Sequence, residues 1–176
     1  MITARPASSL GPELVDANVS HGSLAEDMAG FAARVRALLE LDTGRSTRVP
    51  LGGDLFDVVI TGGGAEGHAV AVMMDEIQQG CGPVIDDPGS RWLYWLVPPG
   101  SAEAWQPHDQ AVCVGDPHTI TLPALSRLTS PGPYWLRPCA SDRIVPTKPL
   151  RRAVDRCRPV AAPHSALSLH LGSLTR

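Results

Sequence analysis

The chain has 176 residues, 43% of them hydrophobic, with 15 basic and 18 acidic side chains and a net charge of −3. That length suits one domain and is short for two cores, and the apolar content is that of a globular protein rather than a disordered one. The acidity leaves no electrostatic footprint for tight binding to a nucleic-acid polymer, and no apolar run reaches the roughly 18 residues of a membrane-spanning helix.

Residues 1–22 are rich in Ser, Pro, Gly and Asn and read as a loose arm. Met1 to Pro6 has no apolar segment behind Arg5, so no leader is expected and the expected location is cytoplasmic. Ser23 and Glu26 form a capping-box pattern, and Leu24, Met28, Phe31, Val35, Leu38 and Leu39 recur at helical spacing to about Leu41. Leu55 to Ile60 is a short run rich in β-branched residues, the mark of a buried strand. Thr61-Gly62-Gly63-Gly64 breaks it, and a helix is expected over 68–78 with Val70, Met73, Met74 and Ile77 on one side.

The second half reads as strands. Val84-Ile85 is short, Asp86-Asp87-Pro88-Gly89 is a turn signal, and Arg91 to Val97 is the clearest strand. Residues 111–114, 119–122 and 134–136 follow as further strands. Pro149, after Thr147 as a cap, opens a last helix with Leu150, Val154 and Cys157 on one face. The organisation expected is an arm over 1–22, one domain over 23–157 and a tail over 158–176.

Several clusters carry residue types that chemistry uses. The Thr61–Gly67 segment joins a strand to a helix, where phosphate can meet N-terminal amides. It lacks both the dinucleotide and the Walker pattern, and reads as a connector. His108, Cys113 and His118 are metal-ligand types with four residues between each neighbouring pair, but a fourth ligand at suitable spacing is missing, so no metal site is expected. Asp86 and Asp87 could hold magnesium, yet their sequence is what a tight turn wants. On a strand, Trp92 and Tyr94 share one face while Leu93 and Trp95 share the other, as in a sheet covered on both sides. The four cysteines, Cys81, Cys113, Cys139 and Cys157, form no Cys-x-x-Cys pair and read as reduced, partly buried thiols.

Four segments in order carry a family resemblance: Phe56 to Gly63, Pro88 to Pro98, Val114 to Pro123, and Gly132 to Leu136. Their sequence of strand, glycines, helix, turn, aromatic strand and proline resembles the N-terminal primase–polymerase domain of bifunctional replication proteins, over about residues 50–140. The resemblance implies an α/β (α+β) domain with a mixed central sheet and flanking helices. Nucleotidyl transfer in that family uses carboxylates that hold two magnesium ions within about 4 Å.

Here Asp57 is the sole acid of the first segment and lies early in its strand, while Trp92 stands at the family's histidine. Cys113 stands where an acid is expected, with Asp116 three residues late. Asp57, Ser90 and Asp116 are the candidate catalytic residues, and Arg91, His118 and Arg127 the candidate nucleotide-binding ones, since cations and donors suit phosphates. The expectation is a catalytically degenerate nucleotide- or nucleic-acid-binding or interaction module, leaning away from an enzyme. Magnesium is implied only for an active member. The partners expected are a nucleotide or DNA, or else a protein or a second copy, and no membrane. The alternatives are a small α/β regulatory or subunit protein with no nucleic-acid role, and an active primase/polymerase with a non-standard acid set.

Overall fold

Six consecutive apolar and aromatic residues, Trp92–Val97, form a strand in which every side chain is buried. A strand with no solvent face must lie inside a sheet that is covered on both sides, and the rest of the fold supplies those covers. The computed structural model describes residues 45–138 and 143–160, together with Ala33 and Ala37. Those two alanines are helical, within the helix expected from Ser23. The remainder of that helix, the N-terminal arm, Cys139 and the tail beyond Val160 lie outside the described residues.

In chain order the elements are β1 (Thr47–Pro50), β2 (Asp57–Gly62), α1 (Gly64–Gln78), β3 (Val84–Asp87) and β4 (Trp92–Val97). Then come α2 (Ser101–Ala104), β5 (Ala111–Val114), β6 (Thr119–Leu122), β7 (Tyr134–Arg137) and α3 (Thr147–Cys157). Five strands form one sheet in the order β5-β2-β4-β3-β7, and β1 pairs with β6 as a separate ribbon. Strands β2 and β3 both run antiparallel to β4 between them, so β2–α1–β3 is a split β-α-β unit.

The expected α/β domain with a central sheet and packed helices is present. Its sheet, however, is antiparallel at every pairing rather than mixed. The reason is topological: the α1 crossover sets β2 and β3 parallel but apart, and β4 fills the gap by a hairpin from β3.

Alternation along β4 divides the core. Leu93, Trp95 and Val97 meet Val70 and Met74 of α1 and Leu150, Ala153 and Val154 of α3. Trp92, Tyr94 and Leu96 meet Val49, Ile120 and Leu122 of the ribbon on the other face. The layers are therefore helices, sheet and ribbon. Inside the helical layer the Trp95 indole N–H donates to the Thr61 hydroxyl at 2.9 Å, satisfying a polar pair that would otherwise be buried unmatched.

Several boundaries differ from expectation. Strand β2 starts and ends two residues later than the run 55–60, because Thr61 and Gly62 still pair with Leu93 and Trp92. Helix α1 begins at Gly64 rather than His68, and it buries Gly67, Val70, Ala71 and Met74 while Ile77 is half exposed. That i, i+3, i+4, i+7 set is the helical stripe; the small residues Gly67 and Ala71 within it hid its centre. Helix α3 begins at Thr147 after Pro146, so Thr147 is inside the first turn and makes no side-chain cap. Strand β1 and the short α2 lie in segments without an apolar period. Among the described residues no helix is long and apolar enough to cross a membrane.

Candidate ligand cavity

Two glycines allow the joint between β2 and α1 to be as tight as it is. A Cβ on Gly67 would come within 2.3 Å of the Gly62 carbonyl oxygen, and one on Gly62 within 2.3 Å of the Val160 carbonyl oxygen. Gly63 bridges strand and helix, and its N–H donates to the Arg91 carbonyl at 2.8 Å. The segment expected to be a connector is thus almost wholly regular structure. Among the described residues no side chain caps the first turn of α1.

Beside this joint, at the C-terminal ends of β2 and β3, lies a cavity of about 560 Å³. Gly62, Gly63 and Gly64 form one wall, and Glu66 and His68 of α1 another. Asp86, then Ser90, Arg91 and Trp92 around the β3–β4 turn, close the remainder, with Val160 at the rim.

Asp86 and Asp87 do not act together as a turn pair. Both belong to β3, where consecutive side chains point to opposite faces. Asp87 serves the turn, its Oδ1 accepting the N–H of Gly89 at 3.0 Å. Asp86 is 6% exposed and turns into the cavity wall. Its Oδ2 lies 2.7 Å from His68 Nε2 and accepts the Tyr134 hydroxyl at 2.9 Å. Tyr134 is the cross-strand partner of Asp86 in the β3–β7 register. Loss of solvent, followed by the hydrogen bond to Asp86 and that carboxylate's charge, holds the Tyr134 phenol above its ordinary range.

The six residues singled out from the sequence are dispersed. Ser90 and Arg91 line the cavity. Ser90 donates its hydroxyl to the Asp87 carbonyl at 3.3 Å. Arg91 has φ 61, a left-handed backbone, and its guanidinium has no hydrogen bond or ion pair among the described residues. Asp57 is at the opposite end of β2, about 17 Å away at about 3.3–3.4 Å per residue. It is buried and accepts the Ala102 N–H at 2.8 Å, which makes it an anchor for α2.

Asp116 is exposed in the β5–β6 turn at that same far end. His118 donates from Nδ1 to the Gly115 carbonyl at 2.9 Å, holding the turn. Arg127 belongs to a separate depression of about 410 Å³ with Ser126, Thr129 and Ser130. The two candidate acids, Asp57 and Asp116, both lie at the end away from the cavity, and among the described residues no group of three or more His, Cys, Asp or Glu side chains could hold a metal ion.

His108, Cys113 and His118 also stay apart. His108 accepts the Gln110 N–H on Nδ1 at 3.0 Å and faces Asp155 with Nε2 at 3.0 Å. Cys113 packs toward the helical layer. Sequence reasoning passed over His68, Glu66 and Tyr134. The one local signal was the pair Asp86-Asp87 directly after an apolar run, which reads as a strand end as readily as a turn.

Comparisons with protein-family models, with curated proteins and with solved structures find no match for this chain.

Proposed function

We propose that the chain is a nucleotide-binding module of primase–polymerase-like architecture in which two-metal nucleotidyl transfer does not take place. The observation that carries this reading is the cavity at the β2–α1 joint, with the Arg91 guanidinium, unpaired among the described residues, at its wall. Its volume lies within the roughly 300–1,000 Å³ of small-molecule sites. The uncapped first turn of α1 and the Arg91 side chain offer donors to phosphate oxygens. The candidate catalytic acids Asp57 and Asp116 lie at the far end of the sheet, where Asp57 is engaged by α2 and Asp116 is in the β5–β6 turn.

A mononucleotide suits the charge better than a polymer does. A net charge of −3, with Glu66 and Asp86 beside Arg91, offers no extended basic track. Calorimetric titration with nucleoside mono- and triphosphates at low salt tests the reading. Saturable binding that is lost in Arg91→Ala is the expected result, with no shift of a DNA duplex at the same salt. A flat titration with every nucleotide would sink it.

A further inference from the structure

The reading of the cavity as a phosphate site raises a charge problem, and its solution rests on that reading. Among the described residues four ionisable side chains line the cavity: Glu66 and His68 from α1, Asp86 from β3 and Arg91 from the β3–β4 turn. Tyr134 of β7 faces the same Asp86 oxygen as His68 does. With a neutral imidazole the lining holds two carboxylates against one guanidinium. A phosphate dianion would enter against a net negative charge.

The geometry around His68 shows where compensation can come from. A carboxylate oxygen 2.7 Å from Nε2 accepts a hydrogen bond, so the ring proton of the neutral form sits on Nε2. Nδ1 then carries a lone pair and has no partner among the described residues. The side chain is 44% exposed, so a ligand can reach it. A phosphate oxygen is an acceptor and cannot bond to a lone pair; it needs a donor there. One proton on Nδ1 supplies that donor, makes the lining neutral and converts the Asp86 contact into an ion pair. The Tyr134 hydroxyl steadies the carboxylate that holds the ring.

We propose that the cavity binds the phosphate of a nucleoside monophosphate together with one proton, taken up on His68 Nδ1. Asp86 is the positioning residue that presents this nitrogen, and Arg91 is the permanent cation. The proton comes from solvent, and no covalent bond to the ligand forms or breaks.

The test is titration of the full chain with AMP at about pH 8, where free imidazole is neutral and phosphate monoester is dianionic, in two buffers of different ionisation enthalpy. Uptake approaching one proton per AMP is expected, with affinity falling by up to about tenfold for each further pH unit. His68→Gln keeps a donor at this half-exposed position and should bind AMP without uptake or pH slope. Glu66→Gln should raise the affinity several-fold and leave the proton count unchanged. Binding with identical heats in both buffers, or uptake that persists in His68→Gln, overturns the proposal while leaving the nucleotide reading intact. Adenosine binding as tightly as AMP overturns the phosphate assignment, and absence of any AMP binding overturns both.

Discussion

The Arg91 carbonyl accepts the Gly63 N–H at 2.8 Å, tying the β3–β4 turn to the start of α1 through backbone atoms alone. The Arg91 side chain is therefore free to be changed without cutting that tie. Its backbone is left-handed, which costs a non-glycine residue about 1–2 kcal/mol. Arg91→Gly should raise stability by up to about 1 kcal/mol in a denaturant melt and abolish nucleotide binding in the same preparation. A variant that is destabilised, or that binds nucleotide as before, would count against the role given to this residue.

Asp75 and Arg137 form a second link, between α1 and β7. Arg137 donates from Nε to both carboxylate oxygens at 2.9 Å and pairs with Asp75 again through its terminal nitrogen. The guanidinium hydrogen bonds hold Asp75 below its ordinary value of 3.8. A depressed acid contributes stability that is complete above its unfolded value and disappears as pH falls through the folded one. Arg137→Met should lower stability at neutral pH by about 1–3 kcal/mol. Its deficit relative to the wild type should shrink below about pH 4, as followed by urea melts across that range.

The thiols of Cys81 and Cys113 are both pushed up to about 12, chiefly by burial, with Asp75 and Asp57 adding repulsion. The thiolate is the reacting form. Iodoacetamide at about pH 8 should therefore modify neither residue in the folded protein and both in urea, with sites assigned by peptide mass spectrometry. Rapid native labelling of Cys81 would contradict its burial in the helical layer.

Thr61 matters because its hydroxyl accepts the Trp95 indole N–H in the centre of the helical layer. Thr61→Val removes the acceptor and strands a buried donor, at about 1–3 kcal/mol. Thr61→Ser keeps the acceptor and should cost much less. Equal losses in the two variants would mean that the methyl group, not the hydrogen bond, carries the effect.

Gly67→Ala should destabilise by more than about 2 kcal/mol, although alanine favours helices, because its Cβ would meet the Gly62 carbonyl at 2.3 Å. A stabilised variant, as helix propensity alone would give, would show the close approach to be wrong.

Much of the sheet was legible from local pattern. Residues 91–97 announced a two-sided strand through the alternation of Trp92, Leu93, Tyr94 and Trp95, and the structure places their side chains on the two faces as read. Pairing was not legible. Nothing in Asp86 or Tyr134 by itself signals that β7 adds to β3, because register depends on contacts 48 residues apart. The cavity was missed for the same reason. Its acid was read as half of a turn pair, and His68 draws its meaning from a carboxylate 18 residues later. Glycines 62, 63 and 67 were read as slack, whereas two of them mark tight approaches of backbone to backbone.

The ribbon of β1 and β6 lies against the sheet without joining its strand order. Among the described residues the cavity lining comes from the sheet, from the β2–α1 joint, from α1, from the β3–β4 turn and from Val160. The molecule thus has a detachable side and a working side. Loosening the ribbon by heat, force or mutation would expose Val49, Ile120 and Leu122 to water and loosen Trp92, which packs against them, while Glu66, His68, Asp86 and Arg91 keep supports outside the ribbon. Amide exchange should then divide the chain into two clocks, with the ribbon running fast and bound ligand slowing the other alone.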